Sequence, residues 1–178
     1  MPDQNNKIYL YEALELRAEY NSRLNTYKDL LPEAQNTGSG LWDSSDDVRY
    51  RPVEEFDVEN LREKIKNLEY KQRKLNNAIQ KANYETFIEY NGREINLTEA
   101  LDLRKAVNDE IKELSKKLQK AAYEKVIYKE DRDIVEEPEI SYTKMEKELE
   151  KKRKEFRKLN RKLREISFAT VIDFKDEK

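Results

Sequence analysis

The chain echoes itself, and no other feature of its sequence restricts the fold as much. Residues 8–31, IYLYEALELRAEYNSRLNTYKDLL, lie over residues 95–118, INLTEALDLRKAVNDEIKELSKKL, at a shift of 87. Ile8, Leu10, Glu12, Ala13, Leu14, Leu16, Arg17 and Asn21 recur as Ile95, Leu97, Glu99, Ala100, Leu101, Leu103, Arg104 and Asn108. Residues 74–90 lie over 158–174 at a shift of 84, so that Leu75, Asn76, Thr86 and Ile88 recur as Leu159, Asn160, Thr170 and Ile172. Shifts this close predict a tandem duplication in which each half reads strand, helix, loop, helix, strand. Repeat one runs over 7–90 and repeat two over 93–174, within a single elongated domain spanning 1–178.

Between the halves, ETFIEY runs into REINL through Asn91-Gly92. That dipeptide is a strong hairpin signal, because both central residues of a type I′ turn need positive φ. The same two strands stand unjoined at the chain ends, as KIYLY and ATVIDF. They should pair antiparallel, either within one molecule or between two copies as an exchanged dimer.

The segments between strands carry helical seams. Leu61, Ile65, Leu68, Gln72, Leu75, Ile79 and Ala82 alternate steps of four and three, as do Met145, Leu149, Lys152, Phe156, Leu159, Leu163 and Ile166. Val107, Ile111, Leu114 and Leu118 repeat the pattern, as do Tyr20, Leu24, Tyr27 and Leu31. This is the heptad condition for helices that pack along one stripe. The predicted fold is mainly α: four long helices as an antiparallel coiled coil or four-helix bundle, with short β-hairpins at one end and long loops over 32–57 and 126–141 at the other. Asn96 with Glu99 forms a capping-box pattern. Gln72 and Lys152 are polar residues on apolar seams, a pattern that usually sets register or oligomeric state.

Composition narrows function more by exclusion than by assignment. Charged residues make up 42% and net charge is only −2, which fits long solvated helices and favours no one partner. With no Cys and no His, there is no disulfide framework, no thiol chemistry and no imidazole base. No phosphate loop, nucleophile elbow or metal-ligand cluster stands out, so an enzyme is not expected, nor any cofactor. MPDQNNK lacks the apolar core of a secretion signal, and no stretch reaches the ~18 apolar residues of a membrane span, so the expectation is a cytoplasmic protein without a membrane segment.

The polar residues repeated in both halves are the candidate site: Glu12, Arg17, Asn21 and Asn76 with their twins Glu99, Arg104, Asn108 and Asn160. Arg17 and Asn21 share a helix face, as do Arg104 and Asn108, and an Arg fork suits an anion or a carboxylate. The same residues serve equally as an interhelical packing network with first-turn carboxylates. In the 32–57 loop, Trp42 and Tyr50 are candidates for a partner contact or for plugging the end of the bundle. Residues 142–166 hold eleven Lys or Arg against five Glu, a weak footprint for nucleic acid.

Short motifs add a resemblance. Leu10, Glu12, Ala13 and Leu14 match an N-terminal L-x-E-A-L. Asn83 and Thr86 match N-x-x-T before the central hairpin, and Thr98, Glu99, Ala100, Leu101 and Arg104 follow it. Thr170 ends a second such element, with Ser167 in place of its Asn. In this order of elements the chain resembles a small bacterial family of helical proteins labelled septicolysin-like, and that label implies a pore-forming cytolysin. The residues themselves point first to a non-enzymatic helical protein that self-associates or scaffolds a protein partner. An RNA- or ribosome-associated basic coiled-coil arm is the second reading.

Overall fold

A computed structural model describes residues 7–35, 51–129 and 132–176; Trp42 and Tyr50 lie outside them. The described chain is mainly helical, with three two-stranded antiparallel sheets. It divides into two compact units, one of residues 1–82 with 168–178, the other of 83–167.

In the first unit, β1 (Lys7–Tyr9) leads directly into α1 (Leu10–Asp29), a short α2 (Pro32–Gln35) follows, and α3 (Val58–Glu85) supplies the second long helix. Pro32 stands beyond the end of α1, where its missing N–H costs no helical bond. Cross-helix pairs show that α1 and α3 run antiparallel: Asn21 meets Gln72 and Lys28 meets Glu69 at 2.8 Å, and beyond α1 Glu33 of α2 meets Arg62 at 2.5 Å. Between them lie Ala13, Tyr20, Leu24, Leu68, Leu75 and Ile79, all buried, in steps of seven and four along each helix. Each such Leu or Ile contributes roughly 1.5–3 kcal/mol by leaving water. The unit is closed by β6 (Val171–Asp173), which pairs with β1 as Lys7↔Asp173, Ile8↔Ile172 and Tyr9↔Val171. The strands from the two ends of the sequence therefore meet within one chain. The Leu10 N–H extends the ladder to the Thr170 carbonyl at 2.8 Å.

In the second unit, β2 (Phe87–Tyr90) and β3 (Arg93–Asn96) pair as Phe87↔Asn96, Ile88↔Ile95, Glu89↔Glu94 and Tyr90↔Arg93. Asn91 and Gly92 join them with φ of 51° and 75°, both positive as a type I′ turn demands. β3 leads into α4 (Leu97–Ala121). Asn96 Oδ1 accepts from the Glu99 N–H at 2.9 Å while Glu99 accepts from the Asn96 N–H at 3.2 Å, a complete capping box. The Leu97 N–H donates to the Thr86 carbonyl at 3.0 Å. α5 (Tyr142–Ala169) is the second long helix, and Ala100, Val107, Met145, Leu149 and Leu159 are buried.

The 126–141 segment departs from the loop expected there. It carries a hairpin, β4 (Lys125–Lys129) with β5 (Arg132–Glu136), in register Lys125↔Glu136, Val126↔Val135 and Ile127↔Ile134. The reason is local. Val126, Ile127, Tyr128, Ile134 and Val135 have high strand propensity, and Lys125 Nζ pairs with Glu136 at 3.0 Å to lock the register.

Candidate functional site

Each unit holds a polar groove between its two long helices. In the first, α1 contributes Tyr20, Arg23 and Tyr27, spaced three and four apart so that they share one face. α3 contributes Lys64, Asn67 and Lys71 at the same spacing, with Leu68 on the floor. The remaining wall is Asp176, which the chain delivers three residues beyond β6. Ile172 and Phe174 are buried and anchor that segment. The groove encloses about 220 Å³.

Its electrostatics centre on Tyr20 and Asp176. Lys71 Nζ lies 2.9 Å from Asp176 Oδ1. Tyr20 is 1% exposed, and its hydroxyl is shut from solvent with no hydrogen-bond partner among the described residues. Burial pushes the phenol well above its ordinary range, and the Asp176 carboxylate beside it adds to the shift. For Asp176, burial works to raise the carboxyl, but Lys71 and the Tyr20 hydroxyl hold it below the usual carboxylate range.

In the second unit, α4 contributes Glu110, Glu113 and Lys117 around Leu114, facing Glu148, Lys151, Lys152 and Glu155 of α5, about a volume of 490 Å³. Lys152 Nζ bridges Glu110 at 2.6 Å and Glu155 at 3.2 Å. Glu110 and then Glu155 hold its ammonium above the ordinary lysine range. Tyr90 donates its hydroxyl to Glu155 at 3.0 Å; burial and that carboxylate raise the phenol. Lys162 donates to the Glu89 carbonyl, tying α5 to β2. Lys152 is thus a seam residue whose charge is met from both sides.

The residues singled out from the repeat sit elsewhere. Glu12 accepts from the Tyr9 N–H at 2.7 Å, the same carboxylate arm of a capping box that Glu99 supplies to α4, and from the Tyr11 hydroxyl at 3.2 Å. Asn21 accepts from the Gln72 side-chain amide. Among the described residues, no hydrogen bond or ion pair joins the side chains of Arg17, Arg104, Asn76, Asn108 or Asn160 to a partner. Sequence reasoning missed Tyr20, Arg23, Lys71 and Asp176 as a group, because Asp176 stands beyond the repeated stretch and far along the chain from its neighbours.

Comparison with known proteins corrects the resemblance drawn from short motifs. A profile described as a family of unknown function (DUF6847) matches residues 3–88. A solved structure of a functionally unknown conserved protein from Corynebacterium diphtheriae aligns with a TM-score of 0.72 at 19% identity, covering 94% of this chain and 99% of that one. No curated protein matches the chain. Nothing in these similarities supports a septicolysin-like family, and among the described residues no helix is long and apolar enough to cross a membrane. The motifs that suggested that family, capping boxes and L-x-E-A-L helix starts, follow from strand-to-helix geometry that unrelated chains share. The structural likeness shows that the fold recurs at low identity, in a protein whose function is likewise unknown.

Proposed function

We propose that this chain is a non-enzymatic, duplicated helical protein that self-associates through the outer edge of its β4–β5 hairpin. One observation carries the reading: the hairpin pairs only with itself among the described residues, and every residue of β5 is exposed. Val126, Tyr128, Ile134 and Val135 are all solvent-exposed on it. An isolated two-stranded hairpin is marginal in water, and its outer strands present unpaired backbone donors and acceptors. Strand addition at such an edge supplies main-chain hydrogen bonds and covers the apolar side chains.

The charge pattern favours a second copy as the added strand. Antiparallel pairing of β5 with itself about Ile134 sets Arg132 of one copy opposite Glu136 of the other, twice over by symmetry. The equivalent self-pairing of β4 about Ile127 would set Lys125 opposite Lys129 and is repelled. Of these two self-pairings, that of β5 is the complementary one.

The duplication is supported by equivalences beyond sequence. At the same two shifts, the Ile8↔Ile172 pair corresponds to Ile95↔Ile88, and the Leu10 to Thr170 bond corresponds to Leu97 to Thr86. Leu75 and Leu159, Ala13 and Ala100, and Leu10 and Leu97 are buried alike. On this reading the closing strand of each half pairs with the opening strand of the other.

Sedimentation of the purified chain over a range of concentrations tests the self-association. A concentration-dependent dimer is expected, weakened by Arg132→Glu and restored by combining Arg132→Glu with Glu136→Arg. A wild-type chain that stays monomeric at every concentration, or a dimer indifferent to both changes, refutes it.

A further inference from the structure

We propose that the groove of the first unit is a binding site for a single carboxylate group, and that in the free chain its own Asp176 occupies that site. The inference stands apart from self-association and rests on what lines the groove. Arg23, Lys64 and Lys71 place three cations around it, and Asp176 is the one acid among its lining residues. Arg presents a planar fork and Lys a mobile point charge, a combination that receives carboxylate oxygens through charge-assisted hydrogen bonds. Tyr20 adds a hydroxyl donor that is sealed from water and has no partner among the described residues. The carboxylate that the groove sets beside this hydroxyl is that of Asp176, which marks the position as one for a carboxylate acceptor.

Asp176 shows what kind of group fits. Its carboxylate already stands against Lys71 at 2.9 Å. Its side chain is 48% exposed and lies past the last strand, so it can be displaced without opening the core. At about 220 Å³ the groove suits one small carboxylate or one acidic side chain rather than a drug-sized ligand.

The second groove makes the contrast. At the repeat shifts, Arg23 corresponds to Glu110, Lys64 to Glu148 and Lys71 to Glu155, so three cations of one groove are three carboxylates in the other. There the reversal is answered internally, since Lys152 bridges Glu110 and Glu155 and Lys151 and Lys117 stand beside them. Leu68 holds the position of Lys152 in the first groove, so the acids that answer its cations are Asp176, against Lys71, and the exposed Glu19, 3.4 Å from Arg23 on the same helix. The two grooves have the same frame and opposite charge logic.

The carboxylate has two sources, a free small acid or the side chain of an acidic peptide, and separate probes distinguish them. Succinate and a short oligoglutamate peptide are titrated in turn into the 15N-labelled full chain at constant ionic strength, with chloride as the control. Saturable amide shifts confined to the residues around 20–27 and 64–71 are expected for at least one probe. Asp176→Asn, which removes the internal competitor, should tighten binding about two- to fivefold, the scale of an exposed ion pair. Arg23→Glu, at an exposed position that leaves the spectrum otherwise intact, should abolish saturation. Saturation by succinate assigns a free acid, and saturation by the peptide alone assigns an acidic side chain. Binding that emerges only in Asp176→Asn also supports the site. If neither probe saturates on Asp176→Asn, or if Arg23→Glu binds as the wild type does, the proposal is overturned.

Discussion

Replacing Tyr20 with Phe should make the protein more stable, against the usual result for a buried side chain. The Tyr20 ring is enclosed between α1 and α3 at 1% exposure, and its hydroxyl makes no hydrogen bond among the described residues. A buried donor left unsatisfied costs about 1–3 kcal/mol, whereas Phe keeps the ring and its packing. The nearby Asp176 carboxylate recovers part of that cost electrostatically, so the lower end applies: a gain of about 1 kcal/mol. For a chain of this length that is an upward shift of about 2–4 °C in Tm, or a higher urea midpoint at unchanged slope. Alkaline titration supplies a second readout. The folded phenol is raised above the ordinary value of about 10, so the fold holds that proton after the unfolded chain has released it. The associated stability is complete below pH ~10 and is lost as pH climbs from there toward the folded value. Wild type should therefore lose stability faster than Tyr20→Phe above pH ~10, by at most about 1.4 kcal/mol per pH unit. A Phe variant destabilised by 1 kcal/mol or more would show that the hydroxyl is engaged in a hydrogen bond, and the reasoning would fail.

Two other substitutions follow from burial and backbone. Leu75→Ala and Leu159→Ala, both at fully buried positions, should each cost about 2–5 kcal/mol. Amide hydrogen exchange should localise the loss to α1 and the β1–β6 sheet for the first, and to α4 and the β2–β3 sheet for the second. Equal loosening everywhere in both would count against two separately packed units. Gly92→Ala should cost only about 1–2 kcal/mol, because φ is +75° but nothing lies within 4 Å of the added carbon. A much larger loss in a denaturant melt would reveal a steric contact at the turn.

Repetition made much of the fold legible. A shared pattern of Ile, Leu, Glu and Thr placed β1, β2, β3 and β6 and the long helices, since alternation and seam spacing are local properties that the backbone obeys. The β4–β5 hairpin escaped because its apolar residues come as adjacent pairs, Val126-Ile127 and Ile134-Val135, so period-two alternation is absent. The site was less legible. Repeated polar residues such as Glu12 and Glu99 drew notice as a candidate pocket, and the structure gives them the capping work that the Asn96–Glu99 pattern also predicted. The grooves instead gather residues that differ at the aligned positions, and Tyr20 meets Asp176 only because β6 returns to β1. Long-range closure of that kind leaves no local trace. The septicolysin-like resemblance failed for the opposite reason: its motifs report helix starts and turns, which many folds share.

The proposed duplication, with each half closed by the other's strand, is tested most directly by circular permutation. Phe174 would be joined to Lys7 through a turn carrying Asn-Gly, and the chain opened between Asn91 and Gly92. If the β1–β6 and β2–β3 sheets are the same closure, the permutant should keep the helical circular dichroism of the parent. It should also melt cooperatively within about 5 °C of it, the scale of a 1–2 kcal/mol change. An unfolded or aggregated permutant would contradict the equivalence of the two sheets.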